Sequence, residues 1–300
     1  MQELQSELNL LGLWEDGDRL ESIPGQQSQS FQLGRLWRPR AVVRVTNPAR
    51  EIYGITGPAE AACLGAAAGA GFAPEFLHVD EHLLVTRYAG KEAILPGEAD
   101  SSPKMLADVV RRVRELHESG LCFGRTFETV FGVRTLLGRL ASAGMRPEGW
   151  DLCAVYLDAI DEALQGRIVA RPCHNDLVSR HIRLGDKLRF IDWGIAAQND
   201  PYWDLARLAI HLQLPQLHWN DIAMLYRGPK WEPCDSGHLL LQIARATLWN
   251  GVRYFLEASI SSGDAAQAAT EWGRTLIAQF LHWGDQNAIG SWIHEFNGAV

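Results

Sequence analysis

The rhythm of apolar and polar positions changes near residue 90. Before that point the chain is dominated by short β-branched or alternating runs. "RAVVRV" closes on the turn signal Asn47-Pro48, and "PEFLHVD" and "HLLVTRY" predict two strands joined by a tight turn near Asp80-Glu81. Between these runs lies the Ala-rich stretch 58–70, "PAEAACLGAAAGA", with Pro near its start and Gly near its end, which predicts a helix. A small sheet with one helix against it is therefore expected.

After Tyr88-Ala89-Gly90 the spacing becomes helical. Ser102-Pro103 offers an N-cap and a first-turn proline, and Leu106, Val109, Val110, Val113, Leu116 and His117 follow on one face. Leu152, Val155, Tyr156, Ala159, Ile160 and Ala163 predict a second helix over 151–165. "HIRLGDKLRFIDW" predicts a hairpin turning at Gly185-Asp186, and from Trp203 onward Trp and Leu recur at spacings of three and four. The expectation is an α+β chain of two lobes, a β-rich one over 1–90 and a larger, mostly helical one over 91–300.

Composition narrows the function. Three hundred residues, 47% of them hydrophobic, can bury a sizeable core. A formal net charge of -8 argues against nucleic acid as the main partner. Five widely spaced cysteines without a CxxC pair predict reduced thiols, not a disulfide framework or a zinc site. The N-terminal run "MQELQSELNLLGLWEDGD" carries acids where a signal peptide has bases, and no apolar run is long enough for a membrane span. A soluble, cytoplasmic protein without a membrane partner is expected.

The chemistry concentrates in "CHNDLVSRHIRLGDKLRFIDWG", residues 173–194. His174-Asn175-Asp176 lies on the loop before the hairpin, and Asp192 lies at the end of its second strand. A hairpin of this length returns the chain to its start, so both carboxylates can face one cleft. Two such carboxylates repel unless a cation stands near them. That cation is either a metal or an arginine, with Arg183 and Arg189 the nearest in sequence. The metal alternative suits phosphoryl transfer, in which one Asp orients the attacking hydroxyl and takes its proton while the other holds Mg²⁺ on the nucleotide phosphates.

Together with "NDPYWDLA", this stretch resembles the catalytic and metal-binding loops of the choline/ethanolamine kinase and aminoglycoside phosphotransferase superfamily, whose fold is protein-kinase-like. The resemblance covers most of the chain and implies ATP and Mg²⁺, or Mn²⁺, as cofactors and a small-molecule hydroxyl acceptor. It implies Asp176 as the base, on a loop shaped by His174 and Asn175, and Asp192 as the metal ligand with His181 beside it. "GQQSQSFQL" looks like the phosphate-covering loop, with Ser28 and Ser30 as candidate contacts. Arg44 would be the basic phosphate contact and Glu60 its helix partner, the plainer alternative being an Arg44 exposed at a strand end and a Glu60 that serves as a first-turn acid. Tyr88 would open the adenine hinge, and Asp204, on the acceptor side, would anchor the catalytic loop.

Three departures accompany the resemblance. His181 stands where the family usually has Asn, and imidazole is a poor ligand for the oxygen-seeking Mg²⁺. Asp192 is followed by Trp193-Gly194 instead of an aromatic and Glu. "TLWNGVRYFLEA" looks like the helix carrying the aromatic choline box, and Trp249 matches one box Trp. Yet Ala246 replaces a second Trp, and Arg253 on the same face would repel a cation. The alternative to a kinase is a nucleotide-binding or regulatory protein on the same fold with impaired catalysis.

Overall fold

β-branched and small apolar residues build the first sheet of the computed structural model, which describes residues 1–24, 29–99 and 101–298. A short helix α1 (Gln2–Leu10) precedes strands β1 (Arg19–Ile23), β2 (Ser30–Arg35) and β3 (Arg38–Val45). Helix α2 (Gly57–Gly69) follows, then β4 (Phe76–Val79) and β5 (Leu83–Arg87). The five strands form one antiparallel sheet in the order β1-β2-β3-β5-β4. Alternate residues Ala41 and Val43 of β3 and Leu83 and Val85 of β5 meet Leu33 and Leu8 in a small core on the face that α1 covers. Helix α1 is absent from the sequence expectation for a physical reason. It buries only Leu8, with Leu4 packed one turn earlier, and has no side-chain cap, so its apolar stripe is short.

The rest of the chain is built around helices. In order come β6 (Lys91–Glu92), α3 (Pro103–Glu118), α4 (Phe127–Phe131), α5 (Val133–Ser142), α6 (Trp150–Leu164), β7 (Arg171–Cys173), β8 (Ile182–Leu184), β9 (Leu188–Phe190) and β10 (Ala197–Asn199). The helices α7 (Pro201–His211), α8 (Trp219–Arg227), α9 (Pro233–Ile260), α10 (Gly263–Asp285) and α11 (Ala288–Phe296) complete it. The 28-residue α9 runs through the middle and packs against α5, α7, α8, α10 and α11. This is the mixed α+β architecture expected.

Helix α3 buries Leu106, Val109, Val110, Val113, Leu116 and His117, the face read from its spacing. Helix α6 turns differently. Its buried stripe is Trp150, Cys153, Leu157, Ile160 and Leu164, whereas Leu152 and Val155 are 41% and 59% exposed. Apolar residues lie on two sides of this helix, and the stripe with the large Trp150 and regular steps of three and four goes inward.

Two small sheets position the loops. β6, β8 and β9 form an antiparallel ribbon, and β7 pairs with β10. At the entry to β6, Gly90 has φ +99° and lies so close to β8 that a Cβ would run into the Leu184 carbonyl. The cysteines are all unpaired. Among the described residues no helix is long and apolar enough to cross a membrane.

Candidate active site

β7 ends at Cys173 and releases a loop that begins with three polar residues. Asn175 takes a left-handed conformation, φ 68°, and its side chain is wholly occupied in holding it. Its amide donates to the carbonyls of Ile195 (3.0 Å) and Ala197 (3.3 Å), and its Oδ1 accepts from Asn199 Nδ2 at 2.8 Å. His174 is also buried. Its Nδ1 accepts the Asp176 N–H at 3.2 Å, so its Nε2 carries the proton donated to the Ile191 carbonyl at 2.9 Å. Burial pushes this imidazole down from its ordinary pKa, and its edge rests on the Trp193 ring 4.7 Å away.

Asp204 on α7 ties this loop from behind. Its Oδ1 accepts the Asn175 N–H at 2.6 Å, and its Oδ2 accepts the His174 N–H at 2.9 Å and lies 3.0 Å from His117 Nε2. His117, Cys173 and Asp204 are the one His/Cys/carboxylate group among the described residues whose donor atoms come within 4.8 Å of one another. Those atoms are already engaged: Cys173 Sγ donates to the Asn199 and Asp200 carbonyls and His117 Nδ1 meets the Tyr226 hydroxyl at 2.9 Å. The cluster is an anchor for the loop.

The β8–β9 hairpin brings Asp192, φ 64°, back beside the loop. His181 lies between the two acids. Its Nδ1 donates to the Asp176 carbonyl at 2.9 Å, and its Nε2 is 3.6 Å from Asp192 Oδ2. The arginines that meet the carboxylates are not those nearest in sequence. Arg189 turns to Asp186, and Arg183 to Glu92 and the Gly90 carbonyl. Asp176 Oδ1 instead receives Arg207 of α7 at 2.5 Å. Asp192 Oδ1 receives Arg50 at 3.1 Å and Arg44 at 3.4 Å.

Glu60 on α2 holds both of these cations, with Arg44 at 2.5 Å and Arg50 at 2.8 Å. Burial alone would raise the Asp176 and Asp192 carboxyls. Arg207 holds Asp176 far below the carboxylate range, with His181 and Arg253 adding to it. Arg50, then Arg44 and His181, do the same for Asp192 against the opposing charge of Asp176.

Arg50 escapes sequence reasoning because it lies on a 3-10 turn, Pro48–Tyr53, started by Asn47 accepting the Ala49 N–H, with no motif of its own. Arg207 had a usable signal: it follows Asp204 by three residues, one helical turn, and so shares its face. Ser30 sits on β2 opposite Arg44 on β3, and Ser28 lies outside the described residues. Tyr88 donates its N–H to the Arg40 carbonyl at the exit of β5.

Trp249 is 4% exposed, and its indole N–H donates to the Phe131 carbonyl at 2.6 Å. The Arg207 and Arg253 guanidinium groups lie 5.0 and 6.0 Å from its ring centroid.

The donor set fits one divalent ion only in part. Asp192 Oδ2 has no arginine partner and suits a hard cation that takes its other ligands from phosphates and water. The second candidate is an imidazole nitrogen. With Nδ1–H spent on a backbone carbonyl, Nε2, 3.6 Å from Asp192 Oδ2, is the His181 atom left to face an ion, and it suits an ion tolerant of nitrogen.

Residues 19–235 match the phosphotransferase enzyme family. The chain belongs to that family. This phosphotransferase is 31% identical over 129 residues to protein LicA of Haemophilus influenzae, a match that spans 41% of this chain and 48% of LicA. The chain thus spans about half the length of that relative. Its fold is that of a choline/ethanolamine kinase family protein of Mesorhizobium loti, with TM-score 0.75, 22% identity, 94% of this chain and 97% of that one covered. It is also that of choline kinase LicA from Streptococcus pneumoniae, with TM-score 0.67, 14% identity and 93% and 98% covered. LicA has been solved with AMP bound, and aminoglycoside phosphotransferases with GDP share the fold.

Proposed function

We propose that this phosphotransferase moves the γ-phosphoryl group of ATP, with Mg²⁺ or Mn²⁺, to the hydroxyl of a small acceptor. The observation that carries the reading is the meeting of Asp176 and Asp192 across His181, with the Arg44–Glu60–Arg50 cluster beside them. Asp176 has Oδ1 bound by Arg207, which leaves Oδ2 to orient an acceptor hydroxyl and take its proton. So strongly held a carboxylate is a weak base. That suits a loose transition state, in which the proton moves late and positioning counts most. Arg44 and Arg50 present guanidinium groups to the phosphates, and Glu60 keeps them in place. A bound divalent ion would neutralise phosphate charge at Asp192. Five free thiols fit a reducing, cytoplasmic setting.

Asp192→Ala is expected to weaken binding of the metal–nucleotide complex by about tenfold or more, because the carboxylate oxygen that Asp192 keeps clear of arginine is lost. Metal-free nucleotide should bind at least as well, since Arg44 and Arg50 then keep Glu60 but no longer share their charge with Asp192. Calorimetry with and without the metal checks this. Equal losses in both would mean that Asp192 supports the fold and not the ion.

A nucleotide-binding protein without turnover is the second reading, favoured by the imidazole in the place of the family's Asn. ADP release measured over a panel of hydroxyl acceptors separates the two. His181→Asn is expected to lower the ratio of Mn²⁺-supported to Mg²⁺-supported rate, since an amide oxygen suits the harder ion. An unchanged ratio would show that His181 serves the loop alone.

A further inference from the structure

The acceptor side of Asp176 is cationic. Arg207 and His211 lie one turn apart on α7, and Arg253 lies on α9. The two arginines act electrostatically on the Asp176 carboxylate, and Arg180 acts on Arg207 and His211 from the rim. Two carboxylates face these three arginines: Asp176, bound by Arg207, and Glu257, 3.7 Å from Arg253. Among the described residues this leaves Arg180 without an ion pair. His211 adds no charge, because burial and Arg207 press its pKa well below the ordinary value.

The hydrogen-bond inventory points the same way. Arg207 is 2% exposed and bonds Asp176 and Asn250 through its two terminal nitrogens, but its buried Nε–H has no acceptor among the described residues. The buried Arg253 Nε–H has none either, nor does the Tyr53 hydroxyl that senses Arg253 and Glu257. Buried donors without acceptors are costly, and here they outnumber the one orphaned carboxylate oxygen, Glu257 Oε2, so the site suits an acceptor-rich group. Trp249, the ring that could face a quaternary ammonium, already has two guanidinium groups beside it. A further cation there meets like charge at short range.

We propose, resting on the transfer reading above, that the acceptor is a hydroxyl compound bearing an anionic group, carboxylate or phosphate. Arg253 binds that group, Arg180 draws it in from the rim, and its hydroxyl faces Asp176. Arg207 stays on Asp176 and fixes the carboxylate between the two.

The test uses four acceptors of similar size: glycerate, glycerol phosphate, glycerol and choline. Binding is followed by calorimetry in the presence of a non-hydrolysable ATP analogue, and transfer by ADP release with ATP. One or both anions should bind at least about tenfold more tightly than glycerol or choline, and Arg253→Gln should remove that advantage. Nucleotide affinity of the variant reports that it is folded. A preference of glycerate over glycerol phosphate, or the reverse, identifies which anion the site takes. Tighter binding of choline, or anion binding that Arg253→Gln leaves intact, overturns the proposal while leaving phosphoryl transfer standing. Arg253-dependent anion binding with no ADP release from any acceptor upholds the anion site and removes the transfer reading.

Discussion

Asp176→Asn is expected to lower kcat by about 10²–10⁴-fold, the span of general-base catalysis, while the nucleotide Kd stays within about a factor of two. The amide keeps the shape and can still accept the Arg207 hydrogen bond at Oδ1. It cannot receive a proton at the second position, where the acceptor hydroxyl would lie. Nucleotide affinity should survive because Arg44, Arg50, Glu60 and Asp192 form a separate set that touches Asp176 only through His181. Steady-state rates beside calorimetric nucleotide titrations decide the matter. A variant with kcat within about tenfold of the parent would remove Asp176 as the base, since that loss falls below what a base supplies.

Asp204→Asn is expected to cost about 2–4 kcal/mol of stability, because the new amide must turn an N–H toward buried donors that now meet carboxylate oxygens. Asp204 is fully buried and serves the backbone N–H groups of both His174 and Asn175 as well as the His117 ring. No orientation of an amide can satisfy all three. The same change displaces the loop that carries Asp176, so kcat should fall together with the denaturation midpoint, and raising temperature should widen the deficit. Chemical unfolding and kinetics on one preparation test it. Stability within about 0.5 kcal/mol of the parent, the ordinary scatter of surface changes, would show that another group holds the loop.

The parts of the molecule legible in the sequence are those with a repeating pattern or a local motif. Strands β3, β4 and β5, helices α2 and α3, the β8–β9 hairpin and the helical remainder follow from periodicity and turn residues. The short stretch 173–194 also declares its chemistry, because its His, Asn and Asp residues lie within a few positions of one another. Long-range pairing is what the sequence withholds. Arg50 reaches Asp192 across 142 residues and Arg207 reaches Asp176 across 31, whereas Arg183 and Arg189, adjacent in sequence, bind elsewhere. Side selection on a helix with two apolar faces is equally hidden, as α6 illustrates. The indole of Trp249 reads as a ligand surface in isolation, but its surroundings depend on α7, which only the fold brings close.

Gly90 gives the cleft a mechanical property. Its backbone lies against the Leu184 carbonyl with no space for a side chain, Arg183 Nε donates to its carbonyl at 3.1 Å, and the next two residues are zipped to β8. The crossing from the five-stranded sheet is therefore riveted to the hairpin whose far end carries Asp192. A tilt of that sheet has no slack to vanish into. Any such tilt would be carried along the hairpin as a lever stroke and would change the height of Asp192 in the cleft.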